Sequence, residues 1–217
     1  MDLSDGALRL ENVTLRSGDP ENPALKNLTL VARPGRVTAL TGSDGASAST
    51  LLAVALGLVR PDEGRVTVGG VELDDLDPAA WWTNVAWVPQ RPALVAGTIA
   101  ENIRLGWSAS DAQVADAASA AALDDVRARL PLGLDTMLGE DGAGLSAGER
   151  QRVGLARAFL RNSAVVLLDE PTADPDEELL GALRRLMAGR TVLMVAHRPA
   201  LLALADDVVV LPELVPA

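Results

Sequence analysis

The stretch VTALTGSDGASASTLLAVALGL, from Val37 to Leu58, decides the fold class. Its first residues, 37–40, form a short apolar run that predicts a buried strand, and the run from Thr50 to Leu58 predicts a helix. The Gly- and Ser-rich turn between them, Thr41 to Thr50, has nearly the outline G-x-x-x-x-G-K-[ST] of a phosphate-binding loop. A strand, such a turn and a helix in this order point backbone N–H groups and a helix dipole at an anion.

Two positions of the turn depart from the phosphate-loop pattern. Ala48 stands where the pattern has lysine, and Ser47 stands where it has a glycine. Ser49 keeps the position whose hydroxyl ligates Mg²⁺ in such loops. The alternative is an ordinary Gly/Ser turn that holds no ligand. The candidate nucleotide-contacting residues are Gly42, Ser43, Asp44, Gly45, Ala46, Ser47, Ala48, Ser49 and Thr50.

The remaining sequence alternates buried strands with helices. AVVLLD is followed by ELLGALRRLM, and TVLMVAH is followed by PALLALA, which favours a mostly parallel α/β sheet with covered faces. Near the N-terminus ALRLENVTLRS, LKNLTLVA and GRVTVGGVEL alternate polar with apolar residues and predict an antiparallel β-subdomain. We predict one domain over 1–217, with a core at 1–91 and 157–217 and an inserted helical subdomain at 92–156.

Composition limits the function classes. A formal charge of −11 on 217 residues argues against nucleic acid as a partner, because binding its backbone needs clustered Lys and Arg. The absence of cysteine excludes disulfides and thiolate metal sites. The opening MDLSDGALRLENV does not resemble a secretory signal, and the apolar run LLAVALGLV is too short to span a bilayer. We therefore expect a cytoplasmic chain.

Four polar residues follow predicted strands and are candidates for catalysis. Asp169 and Glu170 end the run AVVLLDE, where Asp169 would hold Mg²⁺ and Glu170 would act as general base on a water molecule. Gln90, in WVPQRP, would place its amide on the metal or the water, and His197 would contact a γ-phosphate. The alternatives are a charged strand end, a solvated loop glutamine and a structural histidine.

The run LSAGERQRVGLARAFLR, which starts at Leu145, predicts a helix with an unusual N-terminus. Ser146 and Glu149 form the S-x-x-E pattern of a capping box, which by itself explains a stable helix start. Capping does not require Gly148 in the first turn, where glycine leaves backbone amides open to a phosphate. We therefore predict that Ser146, Ala147, Gly148 and Glu149 touch an anion.

Five segments resemble, in this order along the chain, those of the nucleotide-binding domain of an ABC transporter, which has a P-loop NTPase (RecA-like) core. They are the phosphate loop, the Gln90 segment, the LSAGER helix, the AVVLLDE strand and the His197 segment. The resemblance extends from Ala7 to Leu211. GTIAENIRLG (97–106) and GLDTMLGEDGAGLS (133–146) are similar to exporter-type domains, in which the segment around Gly139 and Glu140 faces the membrane domain. VAWVPQRPALVAGTIAENI and the LSAGER helix look most like the thiol-exporter half-transporters that support cytochrome bd assembly.

This resemblance implies a function, cofactors and partners. ATP and Mg²⁺ would be the cofactors, with Ser49, Gln90 and Asp169 on the metal. The partners would be an exporter's transmembrane domain and a second nucleotide-binding domain arranged head to tail, so that Ser146 to Glu149 serve the ATP of the second domain. Asp176 occupies the position of the loop that runs along this interface. The chain would lie at the inner face of the cell membrane.

The departures from the family pattern fall on one site. Besides Ala48 and Ser47, the aromatic residue that stacks on adenine is replaced, with Ser17 in its place. We call the helix that starts with LSAGER the signature helix, because this run resembles the LSGGQ-type signature of the family. We expect a degenerate phosphate loop together with a working signature helix, which favours a heterodimer. The rival interpretation is a non-hydrolytic pseudo-ATPase that regulates a partner. A third, an ABC-type ATPase of DNA repair or chromosome architecture, is weakened by the exporter-like GEDGAG segment.

Overall fold

The structure is a computed structural model that describes residues 6–16, 24–42, 45–172 and 175–211. Contacts divide the chain into two compact units. The first comprises Met1–Val85, Ala164–Asp169 and Met187–Ala217, and the second comprises Ala86–Ser163 and Glu170–Leu186. The segment 92–156, predicted to be a helical subdomain, falls within the second unit, and its functional boundaries stay a prediction.

The N-terminal strands of the first unit form an antiparallel sheet. They are β1 (Leu8–Leu15), β2 (Leu25–Ala32), β4 (Glu63–Val68) and β5 (Val71–Glu72), in the order β2-β1-β4-β5. Alternation decides which face is covered, since Leu8 and Leu10 are buried while Arg9 between them is exposed. The predicted antiparallel β-subdomain is confirmed.

Four further strands of the first unit run parallel. These strands are β3 (Val37–Thr41), β9 (Val165–Asp169), β10 (Thr191–Val195) and β11 (Asp207–Val210), in the order β11-β3-β10-β9. Every residue of β10 is buried, as expected for a strand covered on both faces. The predicted α/β class with a mostly parallel sheet is therefore confirmed.

The helix that follows β3 begins earlier than predicted. α1 spans Gly45–Ala55, whereas the sequence pattern predicted Thr50 to Leu58. Ser47 and Ala48 are buried, so packing of small side chains overrides the low helix propensity of Gly and Ser. The helix also ends earlier, because Gly57, just beyond its last turn, adopts a left-handed backbone with φ +73.

Two short helices complete the first unit, α2 (Pro78–Asn84) and α8 (Pro199–Leu202). One hydrophobic cluster joins α1 and both sets of strands, and consists mainly of Leu, Val and Ala. Trp81 of α2 belongs to it and donates its indole N–H to the Leu56 carbonyl at 3.1 Å. Leucine, valine and alanine thus build a core in a chain whose aromatic residues make up only 2%.

The second unit is mainly helical. Its helices are α3 (Ile99–Arg104), α4 (Asp111–Ala120), α5 (Asp124–Arg129), α6 (Ala147–Arg161) and α7 (Glu177–Met187). Three short strands accompany them: β6 (Val85–Val88), β7 (Gly97–Thr98) and β8 (Met137–Leu138). α6 packs against α3 and α4. Across the described parts of the chain, no helix combines the length and apolar character needed to cross a membrane.

Gly154 lets α6 approach the segment that carries Gln90. A Cβ at position 154 would lie 2.6 Å from Cγ of Pro92, closer than a van der Waals contact allows. The proline ring has little freedom to move away. Gly181 of α7 differs, because a Cβ there would meet only Nη1 of Arg185 at 3.5 Å.

We predict that Gly154→Ala lowers the free energy of unfolding, whereas Gly181→Ala does not. Overpacking costs about 1–3 kcal/mol, which outweighs a gain in helix propensity of up to about 1 kcal/mol. Gly181→Ala has the same propensity gain without the clash, so it serves as the matched control. Urea unfolding of the three proteins measures the difference. An equal increase in the free energy of unfolding for both alanine variants would contradict the prediction, because it would show that the Pro92 ring moves aside without loss of stability.

Candidate functional site

The carboxyl ends of the parallel strands place three predicted site segments at one edge of the sheet. β10 lies between its neighbours in a register that pairs Val195 with Leu40 on one side and with Asp169 on the other. Gly42 therefore follows one strand and His197 follows the next at the same level. This edge is where ligands bind in open α/β sheets.

The predicted phosphate loop is a short connection followed directly by helix. Gly42 has little room, since a Cβ there would lie 3.0 Å from the Leu211 carbonyl oxygen. Gly45 and Ala46 open α1, so Ser47, Ala48, Ser49 and Thr50 belong to its first turns. The prediction that the loop continues up to the helix at Thr50 is wrong for positions 45–49, which are helical. Ser43, Asp44 and Ser17 lie outside the described residues.

Ala48 faces the interior. Its exposed fraction is 0%, and it belongs to the hydrophobic cluster of the first unit. Ser47 is also buried, with 7% exposed. A methyl group in the core therefore occupies the position where phosphate loops carry an ammonium group.

Ser49 and Asp169 lie together as the metal prediction requires. The Ser49 hydroxyl donates a hydrogen bond to Oδ1 of Asp169 at 3.1 Å. A hydroxyl and a carboxylate are hard oxygen ligands that suit Mg²⁺. Within the described residues, no group of three or more His, Asp or Glu side chains is arranged to hold a metal alone. The two oxygens thus fit a Mg²⁺ that takes its remaining ligands from phosphate and water.

Gln90 and Glu170 meet in the second unit. The Gln90 side-chain amide donates to Oε2 of Glu170 at 2.8 Å. Glu170 has a left-handed backbone with φ +40, which is unfavourable for a residue with a Cβ and is concentrated at functional sites. The backbone turns abruptly here, directly after Asp169. The structure thus brings together two of the three predicted catalytic side chains.

His197 lies two residues beyond β10 and is exposed. The preceding residue is anchored to the sheet, because the Ala196 N–H donates to the Leu40 carbonyl at 3.0 Å. The histidine is therefore presented at the carboxyl edge of the first unit, which is where the sequence predicted it.

The signature helix α6 starts with a complete capping box. The Ser146 hydroxyl accepts the Glu149 N–H at 3.2 Å, and Oε2 of Glu149 accepts the Ser146 N–H at 2.7 Å. Ala147 and Gly148 are exposed, and a Cβ on Gly148 would meet nothing within 4 Å. The first turn of α6 is thus open to a ligand at Ala147 and Gly148, two of the residues that the sequence analysis predicted to touch an anion.

Arg129 is a residue at this helix start that sequence reasoning missed. Its guanidinium Nη2 donates to Oε1 of Glu149, forming a salt bridge between the end of α5 and the start of α6. Partial burial acts to raise the pKa of Glu149, but the hydrogen bonds with Ser146 and the Arg129 charge outweigh it and lower the pKa. Glu149 is therefore ionised at neutral pH.

Asp176 links α6 to α7, a contact that the sequence did not predict. Its Oδ1 accepts the Leu179 N–H at 2.7 Å and so caps α7, while its Oδ2 accepts Nη2 of Arg152 at 2.5 Å. The Arg152 side chain is only 16% exposed. Because Asp176 both pairs with this largely buried arginine and caps α7, it holds the start of α7 next to the signature helix.

The chain is similar in sequence to known proteins of one family. The sequence model of the ABC transporter family matches residues 25–173. The chain is 44% identical over 197 residues to the mycobactin import ATP-binding/permease protein IrtA of Mycobacterium tuberculosis, covering 88% of this chain and 23% of that protein. It is 37% identical over 210 residues to the ATP-dependent lipid A-core flippase of Burkholderia orbicola, covering 95% and 35%.

A solved structure is similar along nearly the whole chain. It is a bacterial Atm1-family ABC exporter with ATP bound, with a TM-score of 0.89 and 32% identity over 98% of this chain and 38% of that chain. The chain therefore spans between 23% and 38% of the length of these three proteins.

We predict that Asp176→Ala lowers the free energy of unfolding by about 1–2 kcal/mol, because it removes a helix cap and one partner of a partly exposed ion pair. Asp176→Asn keeps a side-chain acceptor for the cap and should cost less. The control is Glu177→Ala, which removes a distant, exposed pair with Arg184 at 3.8 Å and should change stability by less than about 0.5 kcal/mol. Urea unfolding tests the order, and an Asp176→Ala protein as stable as the control would contradict it.

Proposed function

The chain belongs to the ABC transporter family as a nucleotide-binding domain of the exporter type, and we propose that it serves mainly by completing an ATP site on a second such domain. In this arrangement its own phosphate loop is impaired. Ser146, Ala147, Gly148 and Glu149 cap the ATP bound to the partner domain. The membrane-spanning part, the transported substrate and the partner are part of this proposal, because the chain spans only a fraction of its relatives.

The observation that carries the proposal is the burial of Ala48. A lysine at this position gives a charge-assisted contact to phosphate worth roughly 1.5–3 kcal/mol. Its loss should weaken ATP binding by about tenfold to over a hundredfold. The Ala48 methyl group is fully enclosed in the core, and Ser47 adds a side chain beside the helix start. Both changes act on this chain's own phosphate site and leave α6 unaffected.

The other predicted site residues are of the types that an ATP-hydrolysing site needs. Mg²⁺, when bound, would neutralise phosphate charge, and Ser49 and Asp169 would hold it, with Gln90 as a third proposed ligand. Glu170 would accept a proton from the attacking water, and the Gln90 amide orients its carboxylate. His197 would contact the terminal phosphate.

An intact helix start beside a weakened loop favours a heterodimer. In a head-to-tail pair, one site would combine the partner's phosphate loop with this chain's signature, and the other would contain Ala48. The first would bind and hydrolyse ATP at ordinary rates, and the second would bind ATP weakly.

The membrane partner would place the chain at the inner face of the cell membrane. One relative is named for import and another as a flippase, so export as the direction of transport is part of the proposal. The finer resemblance to thiol exporters of cytochrome bd assembly also stays a prediction. Transport of labelled glutathione or cysteine by the intact transporter in vesicles would test it, and no uptake of either thiol would contradict it.

The second candidate is a non-hydrolytic regulator, which the buried Ala48 also favours. The two functions differ in the role of Ser146. If the chain completes a partner's ATP site, Ser146→Arg should abolish most ATPase activity of the intact transporter, since a bulky cation would block the helix start. An unchanged rate would favour the regulator.

We predict that restoring the loop restores binding. Ser47→Gly combined with Ala48→Lys should tighten MgATP binding by about tenfold or more, measured by equilibrium titration of the purified chain. The matched control is Ser47→Gly with Ala48→Met, which has a side chain of similar length without the charge and should not restore binding. Thermal unfolding checks that each variant folds. Micromolar ATP binding and ordinary hydrolysis by the unmodified chain would show that its loop is not impaired.

A further inference from the structure

The start of α6 carries a negative charge close to where phosphate would bind. Glu149 is the third residue of the helix, one position after Gly148, and its side chain is only 16% exposed. Its pKa is lowered, so the carboxylate is charged at neutral pH. Left uncompensated, this charge would repel a terminal phosphate approaching the first-turn amides.

The two carboxylate oxygens of Glu149 have different partners. Oε2 accepts the Ser146 N–H and completes the capping box. Oε1 accepts Nη2 of Arg129, the last residue of α5. The cap needs only the first contact, and a glutamine would supply it equally well. The second contact is therefore not required for capping.

The arginine end of this salt bridge is open to water. The Arg129 side chain is 56% exposed, whereas the Glu149 side chain is 16% exposed, so water and salt screen the guanidinium and limit what the pair adds to folding. Another cation on the helix, Arg150, donates to the Leu145 carbonyl at 2.7 Å. Arg129 is thus the cation in contact with the Glu149 carboxylate.

We propose that Arg129 is a positioning residue for the ATP site that this chain completes on its partner. Its guanidinium neutralises Glu149, so that the terminal phosphate meets a helix start without net negative charge. Arg129 acts through Glu149 and does not itself need to touch the nucleotide. The inference rests on the proposed function, because it requires that the signature helix caps ATP bound to another domain.

The test uses the intact transporter that contains this chain, with ATPase rates measured across MgATP concentrations. Arg129→Ala should raise KM by about threefold to tenfold, as expected for an unscreened charge near a phosphate, with a much smaller change in kcat. Glu149→Gln alone leaves the Arg129 charge without its carboxylate and should lower KM, because the helix start then carries a net positive charge next to the phosphate. The double variant Arg129→Ala, Glu149→Gln should return KM to within about twofold of the wild-type value, because both charges are then absent.

Two controls separate charge compensation from structural damage. Arg127→Ala removes the same charge from the same last turn of α5 and should leave KM unchanged. Raising the KCl concentration should reduce the Arg129→Ala defect, since salt screens the repulsion. A double variant as defective as Arg129→Ala, or a defect that does not respond to salt, would overturn the inference.

Ser146→Arg distinguishes failure of this inference from failure of the proposed function. Loss of ATPase activity with Ser146→Arg, together with a normal KM for Arg129→Ala, would contradict the role of Arg129 alone. Unchanged activity with Ser146→Arg would contradict both, since the signature helix would not serve an ATP site. Thermal unfolding of Arg129→Ala should be nearly that of the wild-type chain, and a large loss of stability would assign the arginine to folding.

Discussion

The hydrogen-bond register of β10 is the constraint on which the first unit depends. Because this buried strand pairs in parallel with β3 and β9, the ends of all three strands lie at one level. Asp169 can then reach the Ser49 hydroxyl, although 120 residues separate them along the chain. A slip in register would move both partners away from each other, so the candidate metal position follows from main-chain pairing.

The second unit uses a different constraint, the packing and capping of α6. Because Gly154 has no side chain, the ring of Pro92 can pack against the helix. The segment that carries Gln90 therefore lies close to the helix. At the start of the helix, Ser146 and Glu149 satisfy each other's backbone N–H groups. Arg152 then connects α6 to the cap of α7 through Asp176. These contacts of the helix involve residues of the second unit alone, whereas Ala48 lies in the first unit.

This separation fits a division of labour between two domains. In the proposed head-to-tail pair, the missing cation at Ala48 would affect only the nucleotide held by this chain, whereas Ser146, Gly148 and Glu149 would act on the nucleotide held by the partner. Under the proposed function, the contact between Arg129 and Glu149 would neutralise an acidic residue next to a phosphate ligand.

The sequence by itself determined the fold class, the antiparallel and parallel strand sets, and the candidate residues, because hydrophobic period, turn chemistry and capping patterns are local. It also exposed the missing lysine at position 48. The sequence analysis placed the start of α1 at Thr50 instead of Gly45, because the burial of Ser47 and Ala48 is a tertiary contact that outweighs the low helix propensity of Gly45 and Ser47. Only the tertiary structure decided that Arg129 pairs with Glu149 and Arg152 with Asp176. These partners lie 20 and 24 residues apart, and no local pattern selects one carboxylate for an arginine until the backbone has brought the two side chains together.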